Sequence, residues 1–148
     1  MITGITNNPV KSFVDDRGFL MQILPEGNDD FKIKRVYASG NFARGVIRGF
    51  HKHKKEKKAY FVPAGAAKFV AVDDRKESNT FKEINTFILS TLNPTVLTIP
   101  TGIYIGWMSL EDETIVIGIS SEPFDKENPD DERLDPYTYG NVWEVKNR

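Results

Sequence analysis

Short runs of apolar and β-branched residues recur along this chain, separated by glycine, proline, asparagine and aspartate. Inside these runs the side chains alternate in character, as where Lys68, Val70 and Val72 alternate with Phe69 and Ala71. A period of two predicts β-strands, which we place at residues 19–24, 35–38, 59–63, 67–72, 84–89, 95–99 and 114–119. Repeated short strands predict an all-β fold, and the alternation alone leaves a sandwich and a barrel open.

Two polar segments interrupt this pattern. Residues 73–79 form a polar loop that predicts a long-loop hairpin between the strands at 67–72 and 84–89. Residues 128–133 could form one helical turn. The acidic stretch from Asp125 to Asp135 is open to two interpretations, a solvated loop or the cover of a site.

Composition narrows the class of protein. A chain of 148 residues fits one domain spanning residues 1–148. Its net charge of -1 predicts no nucleic-acid partner, and its apolar runs are far shorter than the ~20 residues of a membrane span. Without cysteine there is no disulfide, no thiolate metal site and no cysteine nucleophile. We therefore expect a cytoplasmic protein with no membrane partner.

The two histidines of the chain, His51 and His53, are two positions apart. On a strand, residues with this spacing point to the same side, so both imidazoles would project together. From spacing alone an exposed cluster on an edge strand stays open as the alternative. If the side chains face inward, they would form a pair of bases inside the fold.

Two glycine motifs favour the inward arrangement. The pattern Gly-x5-His-x-His runs from Gly45 to His53, and Pro-x-Gly runs from Pro100 to Gly102. In this order and separation they resemble the two motifs of cupins, which implies an all-β cupin fold, a jelly-roll β-barrel.

The resemblance to cupins also bears on metal binding. Metal-binding cupins have a glutamate after the second histidine and a third histidine after the Pro-x-Gly turn. Here the corresponding positions are Lys57 or Lys58, and Ile105. Because an ammonium group and an isoleucine are not ligands for a divalent ion, we expect no bound metal.

A longer span resembles one particular family, the RmlC-like dTDP-4-dehydrorhamnose 3,5-epimerases. The matching segments extend from about residue 15 to residue 143. They are Asp16-Arg17-Gly18-Phe19, the stretch from Arg44 to His51, the stretch from Val72 to Phe81, Ile99-Pro100-Thr101-Gly102 and Asp135-Pro136.

This resemblance implies roles for individual residues. His51 matches the catalytic base, Asp135 the carboxylate that orients it, and Lys58 the cation that stabilises the enolate. Removing a proton next to a ketone needs such a neutral base and such a cation. The positions that bind the nucleotide diphosphate correspond to Arg17 and Arg48, and Arg44 belongs with the substrate-binding residues.

The sequence departs from the epimerases at the tyrosine that returns the proton. Pro123-Phe124 occupies the place of a Tyr-Tyr pair, so we consider Tyr37 and Tyr104 as replacement acids and as substrate-binding residues. The stretch from Arg48 to Lys54 resembles the Arg-Gly-x-His-x-His-Lys motif of the dTDP-sugar 3,4-ketoisomerases. Two bases on one face suit that reaction, because a ketone can move between adjacent carbons through proton transfers on one side.

The leading hypothesis is therefore an isomerase of nucleotide-linked 4-keto-6-deoxy sugars. It would bind a dTDP-sugar or a related nucleotide sugar, use no cofactor, and serve deoxysugar or polysaccharide biosynthesis. The resemblance also implies a homodimer in which the strand near Arg17 reaches the neighbouring site. A catalytically silent cupin that binds a sugar nucleotide or glycan is the alternative. A metal-dependent dioxygenase-like cupin would need metal ligands that this sequence lacks.

Overall fold

The structure is a computed structural model that describes residues 1–24 and 31–146. Within these ranges the chain forms twelve β-strands and no helix. The strands are β1 (Thr6–Pro9), β2 (Lys11–Asp15), β3 (Gly18–Gln22), β4 (Arg35–Asn41), β5 (Ile47–Lys52), β6 (Lys58–Ala64), β7 (Ala66–Asp73), β8 (Ile84–Ser90), β9 (Thr95–Ile99), β10 (Ile103–Ser109), β11 (Thr114–Ser120) and β12 (Glu132–Arg133).

Two antiparallel sheets of five strands face each other. The first has the order β1-β9-β6-β11-β4 and the second the order β12-β5-β10-β7-β8, while β2 and β3 form a separate hairpin. The order within each sheet differs from the order along the chain, as in a jelly roll. The all-β prediction is confirmed, and so is the long-loop hairpin, since β7 pairs with β8.

Alternation along β7 explains where the core lies. Phe69 and Ala71 point between the sheets and pack with residues of the first sheet, such as Tyr60 and Val62. Their neighbours Val70 and Val72 point outward, yet they are buried as well, because the C-terminal segment covers this face. The second sheet is thus apolar on both sides, which fixes the C-terminal segment against it.

The prediction of a helical turn at residues 128–133 is wrong. Glu132 and Arg133 form β12, which pairs antiparallel with Lys52 and His51 of β5. The backbone of Leu134 extends this pairing through hydrogen bonds with Phe50 in both directions, of 3.0 and 3.1 Å. Backbone hydrogen bonding to a neighbouring strand therefore overrides the local tendency of this acidic segment.

A bulge in β5 brings side chains together that simple alternation would separate. His51 lies opposite Ile105, but Arg48 lies opposite Trp107, so the register shifts between them. Both Arg48 and His51 consequently face the interior, although three positions separate them. The bulge requires glycine, because a Cβ atom on Gly49, whose φ is +149°, would lie 2.5 Å from the Cα of Gly106.

The segment from Asp73 to Thr80 forms a closed polar turn at the end of β7. The buried carboxylate of Asp73 accepts hydrogen bonds from Arg75, Ser78 and Thr80, at distances between 2.7 and 3.0 Å. Burial alone would raise the pKa of Asp73, but these hydrogen bonds outweigh burial and hold the pKa well below its ordinary value. The stretch from Val72 to Phe81, which is one of the segments that resemble the epimerases, thus has a structural role because it anchors the loop.

We predict that Asp73→Asn lowers the free energy of unfolding by about 3 kcal/mol at pH 7, since it leaves buried donors without their charged partner. A carboxylate with a lowered pKa stabilises the fold above its unfolded pKa, and that contribution is lost as the pH falls toward the folded value. The difference from the parent should therefore shrink below about pH 4. Urea unfolding between pH 7 and pH 3.5 measures it, with the exposed Asp16→Asn as control. A difference that stays constant with pH would contradict the assignment.

Candidate active site

A cavity of about 500 Å³ opens between the two sheets, next to the apolar core. One wall comes from β4 and β6 of the first sheet, and the opposite wall comes from β5 and β10 of the second sheet. The loop between β5 and β6, together with residues 122–125 and 128–131, completes the lining. The acidic stretch therefore covers a cavity, which was one of its two predicted interpretations. The side chains that carry charge or a phenol here are Arg35, Tyr37, Arg48, His51, His53, Lys55, Glu56, Lys58, Tyr60, Glu122, Asp125, Asp130 and Asp131.

His51 forms a histidine–carboxylate pair in this cavity. Its Nδ1 lies 2.8 Å from Oδ1 of Asp131, which leaves Nε2 as the ring nitrogen able to accept a proton. Burial raises the pKa of Asp131, but hydrogen bonds from Arg133 and His51 outweigh it and keep the pKa below its ordinary value. A carboxylate that stays ionised favours a proton on Nδ1 and stabilises the imidazolium once Nε2 is protonated.

The carboxylate predicted for this role, Asp135, is not the partner of His51. Asp135 is exposed in a turn, where its side chain accepts a hydrogen bond from the backbone of Tyr137 at 2.8 Å. The pairing of β12 with β5 explains the correction. It places Arg133 opposite His51 and brings Asp131, two residues earlier, to the imidazole.

His53 also lines the cavity, as its spacing from His51 predicts. It is buried, and its Nδ1 contacts the backbone carbonyl of Asp130 and lies 3.3 Å from Oε2 of Glu56. Burial lowers the pKa of His53, and the nearby ammonium of Lys58 lowers it further, while Asp130, Glu56 and Asp131 oppose the shift only in part. Lys52, between the two histidines, points to the outer face of the sheet.

Lys58 belongs to a buried cluster of charges on the opposite wall. Its Nζ lies 2.8 Å from Oε1 of Glu56, which also accepts a hydrogen bond from Arg35 at 2.8 Å. Burial raises the pKa of Glu56, but hydrogen bonds from Lys58 and Ser120 outweigh it, so the pKa stays below its ordinary value. Glu56 is therefore an anion that holds two cations in fixed positions at the edge of the cavity.

The two candidate tyrosines lie in different places. Tyr37 lines the cavity, with its hydroxyl 3.4 Å from Nζ of Lys58. Its ring lies next to Gly118 in β11, where a Cβ atom would overlap it. Tyr104 lies on the outer face of the second sheet, where its hydroxyl donates to Glu132. Tyr37 is thus the tyrosine of the pair that can reach a molecule in the cavity.

The three arginines of the resemblance are spread over the molecule. Arg48 lines the cavity, and its Nε donates to Asn41 at 2.7 Å while the guanidinium lies over the ring of Trp107. Arg44 lies in an exposed turn, where its backbone bonds to Asp112. Arg17 is at the tip of the β2–β3 hairpin and pairs with Asp15. Of the three, only Arg48 belongs to this cavity.

Among the charged residues of the site that were not predicted from the sequence are Arg35, Glu56 and Asp131. Arg35 precedes Tyr37 by two positions in β4, so strand alternation from Tyr37 would have indicated it. Glu56 lies in a lysine-rich loop, and its inward direction follows from contacts with Arg35 and Lys58. Asp131 lies among several acidic residues, and only the register of β12 distinguishes it.

Two further sequence expectations concern the described residues. Among residues 1–24 and 31–146, no group of three or more histidine, cysteine, aspartate or glutamate side chains is arranged to hold a metal ion. The expectation of a metal-free protein stays a prediction. The same ranges contain no helix that could cross a membrane.

Comparison with known proteins places this chain in a family. A sequence profile described as dTDP-4-dehydrorhamnose 3,5-epimerase matches residues 1–146. The spore coat polysaccharide biosynthesis protein SpsL of Bacillus subtilis is 29% identical over 154 aligned positions, covering 100% of both chains. The probable low-salt glycan biosynthesis epimerase Agl13 of Haloferax volcanii is 32% identical and covers 83% of this chain and 80% of its own.

A solved structure shows the same fold. The dTDP-4-dehydrorhamnose 3,5-epimerase of Bacillus anthracis, with TDP and PPi bound, superimposes with a TM-score of 0.81 at 29% identity. The match covers 89% of this chain and 79% of that one. The protein is therefore an RmlC-like cupin, as its motifs predicted, and it belongs to the dTDP-4-dehydrorhamnose 3,5-epimerase family.

We predict that His53 titrates below the ordinary histidine pKa of 6.5, because its charged form would be buried beside Lys58. Below pH 6.5 this imidazole is then protonated more in the unfolded chain than in the folded chain, so the free energy of unfolding decreases as the pH is lowered. NMR titration of the imidazole carbons measures this, with His51→Asn assigning the two signals. A His53 midpoint at or above 6.5 would contradict the buried neutral state.

Proposed function

We propose that this protein isomerises nucleotide-linked 4-keto-6-deoxy sugars by removing a proton from the carbon next to the ketone. The observation that carries the proposal is the His51–Asp131 pair facing a cavity whose opposite wall holds Lys58. Family membership supports the class of substrate. The similarity to a spore coat polysaccharide biosynthesis protein and to a probable glycan biosynthesis epimerase supports polysaccharide or glycan biosynthesis as the setting.

The first step uses a base and a cation on opposite walls. Nε2 of His51 takes the proton from C3 of the sugar, and the C–H electron pair moves into the ring so that the C4 carbonyl becomes an enolate. Lys58 stabilises the negative charge on that oxygen, while Asp131 stabilises the imidazolium. Glu56 keeps the ammonium of Lys58 in place through their 2.8 Å contact.

Two fates of the enolate have support from the structure. In the first, the C3 hydroxyl passes its proton to the C4 oxygen, so that the charge of the enediolate moves to O3. His53 lies on the same side of β5 as His51, so a proton can then return to C4 from that side while the C3 carbonyl forms. Tyr37 lies on the opposite wall, so return of a proton to C3 from there would invert that carbon. Phe124 lines the cavity where the epimerases have a tyrosine, and it cannot donate a proton. We favour ketone migration because the two histidines are the residues of the cavity suited to one-sided transfer.

The nucleotide part of the substrate needs cations outside the sugar pocket. Arg48 offers a guanidinium at the cavity and Lys55 lines it as well. Arginine binds a diphosphate through paired hydrogen bonds. We assign the diphosphate of a dTDP-sugar or related nucleotide sugar to this side of the cavity.

A homodimer would bring Arg17 into the same interaction. The β2–β3 hairpin exposes four large apolar side chains, Phe13, Val14, Phe19 and Leu20, of which Val14 is 78% exposed. Exposed apolar surface of this kind marks an interaction site. We propose that the hairpin packs on a second copy and delivers Arg17 to the cavity of that copy. The cytoplasmic location stays a prediction.

Exchange of substrate hydrogen for solvent deuterium tests the base. We predict that Asp131→Asn lowers the exchange rate at C3 by ~10²-fold or more, because the His51 imidazolium loses its anionic partner. Asp135→Asn is the matched control and should keep the parent rate. NMR of dTDP-4-keto-6-deoxyglucose incubated in deuterium oxide measures both. Equal rates for Asp131→Asn and the parent, or a severe loss for Asp135→Asn, would contradict the pair.

Mixed dimers test the placement of Arg17. We predict that Arg17→Ala and His51→Asn are each impaired alone, and that mixing them after exchange of subunits restores about a quarter of the parent activity. Restoration follows because one site of each mixed dimer combines an intact His51 with the intact Arg17 of the other subunit. If Arg17 acts within its own chain, mixing restores nothing.

A further inference from the structure

Three consecutive acidic residues meet the three consecutive residues His51, Lys52 and His53. The carbonyl of Asp130 contacts His53, the carboxylate of Asp131 contacts His51, and Oε1 of Glu132 lies 3.0 Å from Nζ of Lys52. Asp131, which immediately precedes β12, points into the cavity, whereas its neighbour Glu132 in β12 points to the outer face, as alternation along an extended chain predicts. The outer contact therefore lies one residue from the partner of His51.

Lys52 is the centre of a compact network on that outer face. Its side chain is 12% exposed, and its Nζ lies 2.6 Å from Oδ2 of Asp74 and 4.5 Å from the centre of the Tyr104 ring. Tyr104 also donates its hydroxyl to Glu132. Burial lowers the pKa of Lys52, but hydrogen bonds with Asp74, Glu132 and Tyr104 outweigh it and raise the pKa above its ordinary value. Lys52 is thus a permanent cation that joins β12 to the β7–β8 loop.

The strand β12 needs such an anchor. It contains two residues at the edge of its sheet, and the backbone pairing continues beyond it through the hydrogen bonds between Leu134 and Phe50, so side-chain contacts add to a short run of backbone bonds. Arg133 projects beside Asp131 with a largely exposed side chain, which gives the strand little packing on the cavity side. A sideways shift of a short edge strand would carry Asp131 away from the imidazole.

We infer that Lys52 is a positioning residue for the His51–Asp131 pair. From the face of the sheet away from the substrate, it fixes Glu132 and through it the register of β12. Asp131 then stays bonded to Nδ1 of His51. The inference rests on the proposed function for its effect on rate, but the state of the imidazole does not depend on any substrate.

The test compares Lys52→Met with Lys68→Met. Lys68 also ties the C-terminal segment to the second sheet, through a 2.9 Å hydrogen bond to the carbonyl of Glu144, but it lies in β7 away from β12. ¹⁵N NMR of His51 reports which ring nitrogen carries the proton. Lys52→Met should reduce the preference for the Nδ1-protonated form, as Asp131→Asn does, while Lys68→Met should leave it unchanged.

Exchange kinetics give the second readout. We expect Lys52→Met to lower the C3 exchange rate by about tenfold or more, and the double variant Lys52→Met/Asp131→Asn to be no slower than Asp131→Asn alone. Multiplying losses in the double variant, or a parent-like imidazole in Lys52→Met, would overturn the inference. Where Lys52→Met fails to fold, Glu132→Gln makes the same test through the more exposed partner. If no variant or parent catalyses exchange, the proposed function fails while the NMR result still decides the role of Lys52.

Discussion

The pairing of β12 with β5 is the contact on which the site depends. It sets the edge strand in a register that turns Asp131 toward His51 and Glu132 toward Lys52. The carboxylate of Asp130 strengthens this contact between the two segments. It accepts hydrogen bonds from three consecutive backbone N–H groups, those of residues 54, 55 and 56, at 2.7 to 3.0 Å. Burial raises the pKa of Asp130, yet these bonds outweigh it and keep the pKa below its ordinary value, so this clamp is ionised at neutral pH.

The wall of the cavity opposite His51 is subject to a different constraint, the free-energy cost of burying charged side chains. Lys58 and Glu56 are almost fully buried, and such a pair is maintained only where good geometry compensates for lost hydration. Glu56 meets this condition through contacts with Lys58, Arg35 and Ser120. In the proposed mechanism, the cation that stabilises the enolate is therefore preorganised, and it does not have to be recruited from solvent as charge develops on the substrate.

Local patterns predicted the fold and part of the site. Period-two alternation indicated most strands, and the spacing of His51 and His53 indicated their common direction. Two features lay beyond such reasoning. The bulge at Gly49, which adds Arg48 to the same wall, depends on contact with Gly106 in β10, a neighbouring strand in the sheet that is distant in sequence. The choice of Asp131 over Asp135 depends on strand register, because several acidic residues with similar local surroundings compete for one imidazole. Composition and spacing do not encode either long-range contact.

The central claim is that the cavity performs proton abstraction and does more than bind a nucleotide sugar. It is tested most directly by incubating the parent protein with dTDP-4-keto-6-deoxyglucose in deuterium oxide and following each ring position by NMR. We predict deuterium at C3 of the recovered 4-keto sugar and, where the histidines act from one side, deuterium at C4 of a product whose ketone lies at C3. Binding of the nucleotide sugar without deuterium at C3 would contradict the catalytic account and identify a silent cupin instead.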